Sequence, residues 1–249
     1  MHRLFRLALL ISGGGTTMEQ ILFACRDGVL EGLIEPALVI ASKENIGGTQ
    51  RAIKAGVPID NINFCSRKQF LTRNEFGHAL LNILKYHQVD IVLQAGWTPM
   101  MPSIVVSEYQ SLIFNQHPEY IRQGQLGFGG PKMVGLTAHQ ARLLFLKETN
   151  PPDVEWFTEV VCHQVTTMEE FDDGEVVWTG RVPVKREDTA ETLNDQALPV
   201  EWAVQIAALH AIATGTLVKI PQNPVIKPGQ EKILEWAKAQ AIKDYPVHG

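Results

Sequence analysis

Leu7-Ala8-Leu9-Leu10-Ile11-Ser12-Gly13-Gly14-Gly15-Thr16-Thr17 runs from five apolar residues into three glycines and two threonines. A short apolar run closed by turn residues reads as a buried strand, and the spacing from Thr16 to about Arg26 reads as a helix. Strand, glycine turn and helix together form the opening unit of an α/β sheet. Glycines at such a turn let backbone N–H groups approach an anion at the positive helix end, so a phosphate would fit here. The plainer reading is a tight turn with Thr16 or Thr17 as the helix cap, and these residues alone favour neither. Met18 stands where Gly-x-Gly-x-x-Gly needs its third glycine and no Gly-Lys-Ser/Thr follows, so neither the dinucleotide nor the Walker pattern is matched.

The same alternation continues along the chain. Ala37 to Ala41 reads as a second strand, Thr49 to Ala55 as a helix closed by Gly56, and Val57 to Ile62 as a weaker strand. From Arg67 to His87 the residues Phe70, Leu71, Phe76, Leu80, Leu81, Ile83 and Leu84 recur at helical spacing. Val89 to Leu93 and Leu112 to Asn115 are further strands, Gln123 to Lys132 is a glycine-rich loop, and Gly135 to Lys147 is a helix stopped by Asn150-Pro151-Pro152. Trp156 to Val165 and Glu175 to Val184 should pair as an antiparallel hairpin at the sheet edge, across the acidic turn Glu169-Glu170-Phe171-Asp172-Asp173-Gly174. Thr189 to Ile212 is helical with a kink or restart expected at Pro199, since an interior proline costs about 3 kcal/mol. Gly229 to Asp244 closes the chain as an amphipathic helix with Ile233, Leu234, Trp236, Ala237 and Ile242 on its apolar side. This pattern predicts an α/β, Rossmann-like fold, with a mostly parallel central sheet, helices on both faces and an antiparallel C-terminal hairpin.

With 249 residues, 45% hydrophobic and 20% charged, the chain has room for one large domain or two small ones. Twenty-two Lys and Arg against 27 Asp and Glu give a net charge of −5, which does not advertise a nucleic-acid partner. Cys25, Cys65 and Cys162 are odd in number and far apart, which argues against a disulfide framework or a cysteine metal site and for a reducing, cytoplasmic setting. The apolar stretch after Arg3 and Arg6 is too short for a secretory signal. No other apolar run approaches the roughly 18 to 20 residues that span a bilayer, so no membrane partner is expected. Oligomeric state is not legible.

Asn115-Gln116-His117-Pro118 ends a strand on the edge where open parallel sheets place their sites. Residues two apart on a strand point the same way, so Asn115 and His117 face one cavity. An amide donor and an imidazole converging there suit stabilisation of a carbonyl turning tetrahedral, but for the pair alone a loop with a hydrogen-bonded Asn and a surface His is the favoured reading. A carboxylate near His117 would raise its pKa and fix its tautomer, and Asp172 is the best candidate. His163 reads as a satisfied core histidine or one supporting the site. The eight histidines show no metal-ligand spacing.

Taken together, Ile11-Ser12-Gly13-Gly14-Gly15-Thr16-Thr17-Met18, Ala95-Gly96-Trp97, Asn115-Gln116-His117-Pro118 and Asp172-Asp173-Gly174 resemble the folate-dependent formyltransferases. The likeness runs from about Phe5 to Val218 and is strongest to the branch that formylates glycinamide ribonucleotide in purine biosynthesis. It implies a formyl-transferring enzyme with 10-formyltetrahydrofolate as co-substrate, no metal, and Asn115, His117 and Asp172 as the catalytic triad. It further implies that Gly15, Thr16 and Thr17 hold the substrate phosphate, that Glu201 contacts the ribose, and that Met100 and Met101 line the folate pocket beside Asn115 and Asp172. By the same resemblance, residues 1–219 are the catalytic domain and 220–249 an extension with one amphipathic helix.

Four features depart from the family pattern. Pro99 replaces a basic residue in the folate segment. Gln116 and Glu119 stand where an aliphatic residue and a serine are usual. His163 lies two residues further from the Asp-x-Gly, and the stretch Gln123 to Lys132 is inserted before Gly135-Leu136-Thr137-Ala138-His139. The insertion is expected to form a flap over the amine substrate. A sugar-nucleotide N-formyltransferase, a formyltetrahydrofolate hydrolase and a non-catalytic folate- or phosphate-binding protein are the alternatives. The few residues before the first strand and the roughly 30 after Val218 speak against the hydrolases and the tRNA-acting relatives, which carry additional domains.

Overall fold

The computed structural model describes residues 3–166, 171, 172, 174–224 and 226–246. Of the acidic turn, Glu169, Glu170 and Asp173 lie outside the described residues. Seven strands, β1 (Phe5–Ile11), β2 (Ile34–Ala41), β3 (Ile62–Phe64), β4 (Ile91–Gln94), β5 (Ile113–His117), β6 (Phe157–Gln164) and β7 (Val176–Pro183), make one sheet in the order β3-β2-β1-β4-β5-β6-β7. β1 to β5 run parallel, while β6 is antiparallel to β5 and β7 to β6, so the hairpin lies at the edge as its sequence implied. The chain moves from β1 outward to β3 and returns to the other side of β1 with β4. That reversal opens a crevice at the C-terminal strand ends, where open α/β sheets bind ligands.

Both faces of the sheet are covered because side chains on a strand alternate. Leu7, Leu9 and Ile11 pack toward α1 (Thr16–Asp27) and α6 (Ala190–Thr214), whereas Ala8 and Leu10 join the core under α3 (Arg73–Tyr86) and α4 (Ser103–Tyr109). α2 (Gly47–Lys54) lies against α1 and β2. A separate apolar cluster joins Phe128 of the glycine-rich segment and Met133 just after it to α5 (Leu136–Thr149) and α7 (Glu231–Asp244). The three cysteines are free and buried, and burial pushes the thiol pKa up to about 12 at Cys25 and about 11 at Cys65.

Several expectations need correction. Val57 to Ile62 is not a strand: Ile59–Asn61 forms a 3-10 turn after Pro58, and β3 begins only at Ile62. The helix expected over Arg67 to His87 is a short 3-10 turn at Arg67–Gln69 followed by α3. Thr72 starts α3 with a capping box, its hydroxyl accepting from Glu75 N–H while the Glu75 carboxylate accepts from Thr72 N–H. Leu71 thereby falls outside the helix and is 92% exposed. Helix α4, only seven residues long, lacked a readable period.

No restart occurs at Pro199. α6 is a single 25-residue helix, its N-terminus capped reciprocally by Thr189 and Thr192, with Pro199 on its exposed side. Val200 and Val204 on the inner side close on Gly180 of β7, and this packing offsets the proline. By length and composition α6 is also apolar enough to cross a membrane, but its apolar residues are those that pack on β6, β7 and α1. On α7 the buried residues are Leu234, Ala237 and Ala241, and Trp236 is 47% exposed rather than part of the apolar side.

Candidate active site

The loops at the C-terminal strand ends are tied to one another by hydrogen bonds. Ser12 donates its amide to the Gly96 carbonyl at 2.9 Å, and its hydroxyl accepts from the Thr98 amide at 2.9 Å and contacts the Ser42 hydroxyl at 2.5 Å. The glycine turn between β1 and α1 therefore has a fixed base. Gly15, rather than Thr16 or Thr17, caps α1. Its φ of 71° is left-handed, and a Cβ there would lie 2.9 Å from Gly48 Cα. Among the described residues α1 has no side-chain cap hydrogen bond, Gly13 and Gly14 are exposed, and Thr17 is buried. The turn offers backbone donors at a positive helix end, which is what an anion requires.

Asn115 and His117 leave β5 on the same face, and Asp172 meets both. Asn115 Nδ2 donates to Asp172 Oδ1 at 3.1 Å, and His117 Nδ1 lies 3.6 Å from Asp172 Oδ2. Asp172 reaches this position on a left-handed backbone with a φ of 58°. The glycine two residues later is required by space, because a Cβ at Gly174 would collide with the Gln164 carbonyl oxygen. Burial opposes the charge on Asp172, but His117, His163 and the Gly130 amide together hold the carboxyl far below the usual range. Burial pulls the His117 pKa below its ordinary value, while Asp172 and the Phe128 carbonyl pull it upward.

Each of these groups already has a protein partner. His117 Nε2 lies 3.2 Å from the Phe128 carbonyl, so both ring nitrogens face acceptors, an arrangement the imidazolium satisfies fully. Asn115 Nδ2 also lies 3.1 Å from His163 Nε2, whose other nitrogen is 2.9 Å from the Gln164 carbonyl. His163 is accordingly a buried member that orients Asn115. Gly130 N–H donates to Asp172 Oδ2 at 2.9 Å, so the glycine-rich segment lies directly on the triad and His117 is only 2% exposed.

Glu201 of α6 serves the opposite face of β5. Gln116, pointing away from Asn115 and His117, donates to Glu201 Oε2, and burial raises the Glu201 carboxyl to about 7, with His139 opposing and Glu119 adding. Glu119 is fully buried, accepting from the Thr158 hydroxyl and lying 2.7 Å from His139 Nδ1. The two departures at Gln116 and Glu119 are thus absorbed by new polar partners. Met100 is half-buried between β4 and α4, and Met101 packs into the core beneath α3 and α4. The sequence reading did not find Phe128, Gly130 or Lys238 of α7. No residue pattern links a loop carbonyl, a loop amide and a helical lysine 109 residues away. Among the described residues no group of three or more His, Cys, Asp and Glu side chains could hold a metal ion.

Residues 5–209 match the formyl transferase family. The human trifunctional purine biosynthetic protein adenosine-3 is 29% identical over 218 residues, covering 88% of this chain and 19% of the human protein. This chain therefore spans about a fifth of the length of that relative. The chloroplastic phosphoribosylglycinamide formyltransferase of Arabidopsis thaliana is 27% identical over 207 residues, covering 83% of this chain and 65% of the plant protein. The crystal structure of glycinamide ribonucleotide transformylase 1 from Symbiobacterium toebii superposes with a TM-score of 0.71 at 27% identity, covering 88% of this chain and 92% of that one.

Proposed function

The chain belongs to the formyl transferase family, and we propose that it transfers the formyl group of 10-formyltetrahydrofolate to the primary amine of glycinamide ribonucleotide. The observation that carries this reading is the meeting of Asn115 and His117 on Asp172 at the C-terminal edge of the sheet. The amine nitrogen bonds to the formyl carbon, and negative charge develops on the formyl oxygen. The bond from that carbon to the folate nitrogen then breaks, and the proton lost by the amine passes to the departing nitrogen. Asn115 Nδ2–H and His117 Nε2–H are the donors for the oxyanion, which takes the place of the Phe128 carbonyl as the acceptor at His117 and of His163 Nε2 at Asn115. Asp172, anionic on the other side of the ring, favours the imidazolium as the charge grows and relays the proton through water. Direct attack needs neither a metal nor a covalent enzyme intermediate.

In this reading the Gly15, Thr16 and Thr17 turn takes the substrate phosphate, Glu201 the ribose, and the segment with Met100 and Met101 the folate. The catalytic domain is residues 1–219, with 220–249 an extension, in a cytoplasmic enzyme. A spectroscopic formyl-transfer assay with 10-formyltetrahydrofolate tests it, comparing glycinamide ribonucleotide with amino-sugar nucleotides. Turnover of the ribonucleotide above the sugar nucleotides is expected, and no turnover of it overturns the assignment.

A further inference from the structure

Lys238 stands on α7, beyond the residues that match the family, yet its ammonium group reaches the segment lying on the triad. Nζ donates to the Gly129 carbonyl at 2.5 Å and to the Gly127 carbonyl at 3.3 Å. The Gly129 carbonyl and the Gly130 N–H belong to one peptide group, and that N–H donates to Asp172 Oδ2. A single rigid peptide plane therefore links a cation on one side to the catalytic carboxylate on the other. Hydrogen bonds in such a chain polarise one another, so the charge on Lys238 strengthens the donor that Asp172 receives.

The neighbouring contacts define the same clamp. A Cβ at Gly129 would lie 2.7 Å from Asp172 Cβ, so the strap approaches the carboxylate more closely than any other residue type allows. Phe128 anchors the strap from below: it is fully buried, its ring packs edge-on against Phe145 of α5 at 5.4 Å, and its amide donates to the Tyr120 carbonyl at 3.0 Å. Gln125 ties the upstream end to the C-terminal segment through the Gln222 carbonyl at 2.6 Å. Burial lowers the pKa of Lys238 and the charge of Asp172 opposes that shift, as expected for two charges that sense each other.

We propose that Lys238 is a positioning residue for the triad, acting through the Gly129–Gly130 peptide to hold Asp172 in register with His117. The inference rests on the formyl-transfer reading for its kinetic consequence but not for its geometry. Lys238→Met, close in length and without charge, is expected to lower kcat about tenfold while KM for both substrates stays within about twofold, the pattern of a displaced catalytic group. Lys238→Arg should recover part of that loss. Amide hydrogen exchange read by NMR supplies a test independent of turnover. In Lys238→Met the Gly130 amide should exchange at least about tenfold faster while the β1 amides keep their protection. Unchanged Gly130 protection, or an unchanged or raised kcat, overturns the proposal. Absence of turnover in the unaltered protein overturns the formyl-transfer reading alone, and Gly130 exchange then decides the clamp.

Discussion

The glycine turn after β1 and the cluster after β5 share one edge of one sheet and are built in opposite ways. The turn presents backbone amides, carries no capping side chain and leaves Gly13 and Gly14 in solvent. The cluster presents side chains, pairs each of them with another protein group and buries His117. A site made of backbone depends on the absence of Cβ atoms and tolerates changes in side-chain chemistry. A site made of paired side chains depends on every partner, because in a water-poor setting an orphaned polar group carries its full desolvation penalty.

The largest effects are expected in the cluster. His117→Ala and Asp172→Ala should each lose at least about 10²-fold in kcat, roughly 3 kcal/mol of transition-state stabilisation. Near-normal turnover in either would remove the cluster from the chemistry and erase the contrast with the turn. Glu201 gives a comparable effect on stability. Its folded pKa of about 7 lies above the ordinary 4.5, so the folded protein retains a proton that the unfolded chain releases. Stability from this group is full below the lower value and falls as pH rises to the upper one, by about 3 kcal/mol. Urea unfolding of the unaltered protein and Glu201→Gln at about pH 4.5 and pH 8 should show that difference between the two. A constant offset would mean that Glu201 titrates in the fold as it does in the unfolded chain.

The turn should respond more weakly and in another parameter. Gly15→Ala puts a Cβ onto a left-handed backbone against Gly48, and a loss of about 1 to 2 kcal/mol in stability is expected. With it, KM for the amine substrate should rise several-fold at unchanged kcat. A fall in kcat at unchanged KM would move the turn into the catalytic class. Leu71→Ser, outside both regions, should leave stability within about 0.5 kcal/mol, because Leu71 is exposed rather than on the apolar face of α3.

How much of this was legible depended on the range of the interaction. Strands β1, β2, β4 and β5 announced themselves as apolar runs because both of their faces are buried, and the shared direction of Asn115 and His117 followed from strand geometry, whereas their role came only with the family resemblance. The third member, Asp172, was placed by the glycine two residues on, whose necessity is now a collision with the Gln164 carbonyl. Local capping was misjudged where two devices competed. At Thr72 the capping box overrode an apolar period that continued through Leu71, and at Gly15 a left-handed glycine displaced the threonines expected to cap α1. Hidden altogether were contacts between segments far apart in sequence. Lys238 looks like any solvated helix charge until α7 docks on α5 and carries it to Gly129.

The buried thiols lend the molecule a built-in reporter. Cys25 on α1 and Cys162 in β6 lie in the core on one face of the sheet and Cys65, after β3, in the core on the other, so the three sample both faces. A thiol reacts as its thiolate, and burial suppresses that form at every one of them. Alkylation in native buffer therefore proceeds only as fast as the surrounding structure opens, so the three labelling rates compare directly how often the cores on the two faces of the sheet come apart.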